Sequence, residues 1–352
     1  MIPFDHPPVP PRKLGVLLVN LGTPDAAEAK AVRRYLREFL SDRRVIEIPP
    51  LLWQPILRGI VLRTRPRRSA HAYSLVWRED GSPLAAITQA QARALQGAFG
   101  PDVIVDHAMR YGAPAIGERL RALKAAGCDR ILLAPLYPQY CAATTATAND
   151  AAFAALAGMR WQPALRTLPP YYDDPAYIAA LAASIGQHLD ALDFVPEAIL
   201  ASFHGMPQRT LALGDPYHCH CRKTARLLGE ALRDLPGARD LLVSFQSRFG
   251  RAKWLEPATA DMLAKLPGQG VTRLAVVAPG FSADCLETLE EIALRGRDTF
   301  LAAGGRSFAY LPCLNESALG IAMLHELIGR ELEGWIVHPT LGVSEEGPQC
   351  RE

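Results

Sequence analysis

The chain has 352 residues, 49% of them apolar, and 38 Lys and Arg set against 36 Asp and Glu leave a formal net charge of +2. That length suits two domains of ordinary size, and so balanced a charge gives no electrostatic case for nucleic-acid binding. No stretch approaches the ~18 uninterrupted apolar residues of a spanning helix, and segment 1–12 is proline-rich without an apolar h-region, so a cytoplasmic protein without an export signal is expected.

In chain order, the first apolar run is Leu14-Gly15-Val16-Leu17-Leu18-Val19, ended by Asn20-Leu21-Gly22-Thr23-Pro24. Segment 46–68 differs from the rest: 49–62 is apolar with few charges, and then Arg63, Arg65, Arg67 and Arg68 arrive together. It is either a core helix with a solvated basic loop or an exposed apolar lip with a basic rim. The lip is preferred, and it would suit a large flat apolar anion or an anionic bilayer surface. Further runs are Val103-Ile104-Val105-Asp106-His107-Ala108 and Ile131-Leu132-Leu133-Ala134-Pro135, separated by helix-period segments 86–98 and 115–126. Segment 165–174, with Pro169, Pro170, Asp173 and Asp174, reads as a crossover. A second set of runs follows at 198–203, 241–245, 274–278 and 308–311. Continuous apolar strands alternating with helices mean parallel sheets covered on both faces. The fold class is therefore α/β, in two similar halves. Segment 316–334 reads as an amphipathic helix with Asn315 as N-cap, Gly334 as stop, and an apolar face of Leu319, Ile321, Met323, Leu324, Leu327 and Ile328. The remainder, 337–352, is expected to be loose.

Two motifs carry the chemistry. Ala201-Ser202-Phe203-His204-Gly205-Met206-Pro207 and Phe281-Ser282-Ala283-Asp284-Cys285-Leu286-Glu287-Thr288-Leu289 each follow an apolar run. Carboxyl ends of parallel strands share one edge, where ligands bind. His204 and Glu287 can therefore face each other across a crevice, where an imidazole and a carboxylate hold a divalent metal or move protons. Asp284, Glu287 and Glu291 at i, i+3 and i+7 are expected on one helix face, as an acidic relay for protons or metal. Glu290 reads as a solvated acid on the helix macrodipole, and Arg295 ends the acidic series.

The seven cysteines form an odd, scattered set, which argues for thiols or metal ligands and against a disulfide framework. The exception to the scatter is His218-Cys219-His220-Cys221, a spacing that can bind zinc or lend two thiolates to an iron–sulfur cluster.

In order along the chain stand Leu18-Val19-Asn20-Leu21-Gly22-Thr23-Pro24, Val32-Arg33-Arg34-Tyr35-Leu36-Arg37-Glu38-Phe39-Leu40-Ser41-Asp42, Gly81-Ser82-Pro83-Leu84, Met109-Arg110-Tyr111, Tyr137-Pro138-Gln139-Tyr140, the His204 motif, Gly214-Asp215-Pro216-Tyr217, Phe245-Gln246-Ser247-Arg248 and the Glu287 motif. Together these resemble the ferrochelatase family, whose members insert ferrous iron into a porphyrin, and the resemblance runs from about residue 14 to 336. It implies two Rossmann-like, chelatase-type domains, each a parallel sheet flanked by helices, with the active-site cleft between them. The division expected is 13–168 with the C-terminal helix 316–336, then 169–315, then the tail 337–352. No G-x-G-x-x-G loop follows the first strand, so a dinucleotide role is disfavoured.

The resemblance implies that His204 and Glu287 are catalytic and touch the metal. Imidazole is a suitable acceptor for the two pyrrole protons released; whether His204 or Glu287 takes them is left open. One His and one Glu make a poor permanent site, which fits Fe²⁺ as substrate. Substrate-binding candidates are Arg110, Tyr111, Tyr73 and Ser82, with the Arg33-Arg34 pair, for propionates, and Trp254, Phe281 and Tyr217 for the macrocycle. Some relatives carry a 2Fe–2S cluster; Cys141, Cys219 and Cys221 are candidate thiols here, and plain reduced thiols are preferred to a cluster. The expected reaction joins Fe²⁺ and protoporphyrin IX to give protohaem, with possible peripheral contact of 49–68 at the inner face of the cell membrane. The rivals are a coproporphyrin III enzyme, a chelatase for nickel or cobalt, and a non-catalytic tetrapyrrole carrier.

Overall fold

Residues 12–233, 240–250 and 252–336 are described by a computed structural model; the predicted loose tail 337–352, and Cys350 with it, lie outside them. Two parallel sheets of four strands each organise the chain. The first holds β1 (Lys13–Gly22), β2 (Val103–Tyr111), β3 (Cys128–Pro135) and β4 (Ala164–Thr167), in the order β2-β1-β3-β4. The second holds β5 (Ala198–His204), β6 (Asp240–Gln246), β7 (Arg273–Val277) and β8 (Ser307–Tyr310), in the order β6-β5-β7-β8. The two halves thus repeat one connectivity. Their central strands are apolar without interruption because both faces are covered: Val16, Leu17, Leu18 and Val19 are fully buried, as are Leu200 and Ala201. A single apolar cluster takes in Val16 and Leu132 from the first half and Ile199 and Ala275 from the second.

Seven of the eight strands coincide with the predicted apolar runs. The exception is β4, inside the segment read as a crossover. It pairs only with β3 and none of its residues is fully buried, so it lacks the apolar signature of a central strand. The C-terminal helix is Ala318–Leu332, shorter than predicted, and its N-cap is Ser317, whose hydroxyl accepts from the Gly320 N–H at 3.1 Å. Asn315 does not cap. It takes a left-handed backbone, with φ 50°, and its side chain is committed to Asp284. The helix buries Met323, Leu324, Leu327 and Ile328 as expected, against β3 and the helices Pro83–Phe99 and Pro175–Asp190. Gly334 follows it at φ 73°.

Segment 49–68 combines both readings made of it. It forms a helix Pro50–Ile56, a π-helical turn Leu57–Val61 and a helix Leu62–Ser74. Pro55 and Pro66 lie inside the two helices and cannot donate to the ladder, which favours irregular bonding near them. Leu57 and Leu62 are buried against the helix Ala29–Ser41, and the Trp53 indole donates to the Leu40 carbonyl at 2.6 Å. The opposite side is open: Leu51 is 91% exposed, Leu52 64% and Ile60 60%. Among the described residues no helix is long and apolar enough to cross a membrane.

Candidate active site

The carboxyl ends of the central strands deliver the predicted residues to one edge of each sheet. His204 ends β5, directly opposite Gln246 in the β6 register. The next residue, Gly205, donates to the Gln246 carbonyl at 2.8 Å, and a Cβ there would stand 2.5 Å from that oxygen. Only glycine allows the strands to close so tightly after the histidine. The His204 Nδ1 is 2.7 Å from the Gly205 carbonyl, and Phe281 lies 6.4 Å from the imidazole, centroid to centroid. With Nδ1–H donating to that carbonyl, Nε2 carries the free lone pair. Tyr217 is buried, and its hydroxyl donates to the His204 carbonyl at 2.9 Å. It therefore braces the end of β5, and its hydroxyl proton is already committed.

Glu287 is half-buried in the short helical turn Leu286–Thr288. Its charge reaches groups of the first half. Burial first, and then the Tyr73 and Glu287 charges, push the Tyr35 phenol well above its ordinary range. Tyr73 rises for the same reasons, burial before Glu287, against a lowering hydrogen bond with Thr23. Arg65 keeps an open face to solvent, yet enough protein surrounds it for desolvation to lower its pKa, while Glu287 opposes that shift. Its guanidinium lies 5.2 Å from the Phe249 ring centroid. So the Glu287 charge is felt by Tyr35 on the helix Ala29–Ser41 and by Arg65 and Tyr73 on the helix Leu62–Ser74. Arg65 was read only as part of the basic rim, and Tyr35 only as a motif letter.

The three acids do not share a helix face. Asp284 precedes the helix, whose N-cap is Cys285, and is buried as the acceptor of Tyr310 (2.5 Å), Thr288 (2.8 Å) and Asn315 (2.7 Å). Three neutral donors occupy it, so it is placed as a structural anchor. Beyond Thr288 the chain becomes a π-helix, Leu289–Gly296, which changes the angular spacing on which the prediction relied. Glu291 is held at 2.8 Å by the N–H and at 2.6 Å by the hydroxyl of Ser247. Ser247 has φ 64°, a conformation costing a non-glycine residue about 1–2 kcal/mol that these two hydrogen bonds offset. Glu290 pairs with Arg295 at 3.2 Å and its side chain is only 18% exposed, so it is less open to solvent than the solvated reading expected.

At the end of β2, Arg110 is already engaged. Its guanidinium meets the Asp42 carboxylate at 2.5 Å and the Thr147 carbonyl and hydroxyl at 3.0 and 2.7 Å. Tyr111 donates to the same Asp42 oxygen at 2.9 Å. Burial works to raise the Asp42 carboxyl. Hydrogen bonds from Thr147, the Arg44 backbone and Tyr111, with the Arg110 charge, outweigh it and hold the pKa below the ordinary value. Ser82 heads the helix Pro83–Phe99 without capping it; it accepts from Thr23 at 2.8 Å, which leaves its own proton for another acceptor. Arg33 and Arg34 are exposed, and Arg34 pairs with Asp25. Trp254 is buried with its indole N–H unpartnered, and its ring stands 5.0 Å from Phe249.

Of the three thiol candidates, Cys141 and Cys221 share one buried cluster and Cys219 stands apart from them. Segment 217–233 is a helix, Tyr217–Arg233, and residues two apart on a helix point to different sides. Cys219 is exposed while Cys221 and Cys141 are buried, and burial pushes the Cys141 and Cys221 thiols up, away from the thiolate a metal requires. His220 stacks on Tyr172 at 3.6 Å and accepts from the Tyr140 N–H. Among the described residues no group of three or more His, Cys, Asp or Glu could hold a metal ion.

A family model described as ferrochelatase matches residues 13–332. The chain is 58% identical to the ferrochelatase of Rhizobium meliloti over 336 residues, 94% of this chain and 98% of that one. It is 52% identical to the ferrochelatase of Agrobacterium fabrum over 339 residues, with 95% and 98% covered. Among solved structures it is similar to SirB from Bacillus subtilis with Fe³⁺, at a TM-score of 0.55 and 12% identity, over 92% of this chain and 97% of that one. At that identity the likeness concerns the fold, two parallel sheets flanked by helices.

Proposed function

From the premise that the chain belongs to the ferrochelatase family, and so inserts iron into a porphyrin for haem synthesis, we propose that its porphyrin is protoporphyrin IX and that His204 and Glu287 carry the chemistry. The observation that supports this most directly is the fixed imidazole. With Nδ1 bound to the Gly205 carbonyl, Nε2 is the atom left to accept a pyrrole proton or to touch the entering metal. Glu287 supplies a carboxylate whose charge reaches two buried phenols, Tyr35 and Tyr73. Both are kept neutral by burial and by that charge, so neither competes for the proton. Fe²⁺ enters as a substrate, held by oxygen and nitrogen donors that can let it go.

For the propionates, Ser82 offers a hydroxyl proton and Arg65 a guanidinium on the open side of the cleft; Arg110 can contribute only what its bond to Asp42 leaves. Phe281, Trp254 and Phe249 supply apolar area for the macrocycle. The test is an anaerobic absorbance assay offering Fe²⁺ with protoporphyrin IX and coproporphyrin III in parallel. Catalytic loss of the free-base spectrum with protoporphyrin preferred is expected. Tight binding of both without metallation would leave only a carrier.

We also propose that 49–68 rests on an anionic membrane surface. Leu51, Leu52, Ile56 and Ile60 are exposed beside Arg58, Arg63, Arg67 and Arg68, which pairs apolar burial with about 1 kcal/mol per basic residue near such a surface. Leu51→Glu with Leu52→Glu is expected to lower flotation with phosphatidylserine vesicles at least tenfold and to leave turnover with detergent-dispersed porphyrin within about twofold. Flotation equal to the parent would remove the proposal.

A further inference from the structure

Gln246 joins the two halves of the catalytic pair, and neither its identity nor its motif assigned it a role. It is 2% exposed, and an amide so buried must satisfy both ends. Its oxygen accepts from the Ser202 hydroxyl at 2.8 Å, two residues before His204 on β5, and its Nε2 donates to the main-chain carbonyl of Glu287 at 2.8 Å. Its own carbonyl accepts from the Gly205 N–H, and its Cα is in register with His204. Thus one side chain and one peptide unit touch the residues on both sides of His204 and the backbone of Glu287. Among the described residues no hydrogen bond joins His204 to Glu287 directly.

The place of the Glu287 contact matters. Glu287 lies in the turn Leu286–Thr288, immediately before the π-helix Leu289–Gly296. Where bonding passes from one helical repeat to another, the regular ladder no longer fixes the backbone alone, and an outside donor decides where the turn stands. The neighbouring Ser247 clamps Glu291, one turn further along, so the last residue of β6 and the residue after it hold the helix at two points.

We propose that Gln246 is the positioning residue that sets the Glu287 carboxylate against the imidazole of His204. The proposal rests on the catalytic assignment of those two residues. Two substitutions separate its parts. Gln246→Met keeps the length and removes both hydrogen bonds. Gln246→Glu keeps an acceptor for Ser202 and, when ionised, removes the donor to the Glu287 carbonyl. Each is expected to lower kcat about 10–100-fold, the scale of a misplacement near 1 Å, while KM for porphyrin stays within about threefold. In a Glu287→Gln background, Gln246→Met should add no more than about twofold, because residues acting as one unit are not additive.

Full turnover in Glu287→Gln would sink the catalytic assignment itself. A crippled Glu287→Gln beside Gln246 variants of normal kcat would sink only the positioning role. Losses that multiply in the double variant, or a KM that rises as far as kcat falls, would mean general structural damage and would also overturn it. Should neither substitution at 246 fold, Ser202→Ala frees the far end of the amide and is expected to lower kcat several-fold; an unchanged kcat there refutes the proposal.

Discussion

Glu287→Gln is expected to lower kcat by about 10²–10³-fold, and His204→Ala by a similar factor, while porphyrin affinity stays within a few-fold. General acid–base groups typically contribute about 10²–10⁴, and metal insertion cannot finish until two pyrrole protons have left. Glu287→Gln is the sharper of the two substitutions. It keeps the side-chain volume, and the hydrogen bond from Gln246 goes to the main chain, so the backbone remains where it was. What changes is the charge among Tyr35, Tyr73 and Arg65. Arg65 loses the carboxylate that favoured its cationic form, and a propionate then competes with nothing for it, so KM for porphyrin should hold or fall as kcat drops. Porphyrin fluorescence quenching gives the affinity and anaerobic loss of the free-base bands gives kcat. If His204 and Glu287 act on one proton path, the double variant should be little worse than the poorer single one. Turnover that survives either substitution would remove that residue from the mechanism.

Both sheets were legible in the sequence because a parallel strand buried on both faces is apolar at every position. Val16 to Val19 and the segment before His204 are such runs. β4 escaped because an edge strand with one partner needs no such pattern; Ala164, Leu165, Arg166 and Thr167 could belong to a loop. The site was legible as residue types at strand ends, and not as contacts. Alternating His and Cys at 218–221 suggests convergence only if the segment is extended, and the helix Tyr217–Arg233 turns Cys219 and Cys221 apart. The i, i+3, i+7 reading of Asp284, Glu287 and Glu291 assumed one α-helix, where the chain has a cap, one turn and then a π-helix. Gln246 went unread because its role is a pair of hydrogen bonds to residues 44 positions earlier and 41 later, a relation that no local pattern encodes.

Asp42 carries the largest expected effect on stability. Asp42→Ala should cost about 3–5 kcal/mol, the usual result of breaking a buried pair and stranding its partner. Four donors lose their acceptor together: the Arg110 guanidinium, the Tyr111 and Thr147 hydroxyls and the Arg44 backbone N–H. At roughly 2 °C or less per kcal/mol for a chain longer than 250 residues, the melting temperature should fall by on the order of 5 °C. The pH dependence follows from the direction of the shift. Because folding lowers the Asp42 pKa, its contribution is complete above the unfolded value of about 3.9 and is lost as pH falls from there through the folded value. Asp42→Ala should therefore flatten the acid limb of the stability curve below about pH 4 and leave its slope near neutrality unchanged.

Arg110 must be tested with the same pair in view. Arg110→Met alone leaves the Asp42 carboxylate buried without its cation, so lost activity would mix folding with binding. The double variant Asp42→Leu with Arg110→Met replaces the pair by apolar side chains, which is often neutral or stabilising for the pair itself, and should recover the part of the lost melting temperature owed to the stranded charge, while the Tyr111 and Thr147 hydroxyls still lack their acceptor. If Arg110 also grips a propionate, KM for porphyrin stays raised at least tenfold in that refolded background. A KM restored together with stability would make the Arg110–Asp42 pair a girder of the cleft wall, and would leave propionate recognition to Ser82 and Arg65.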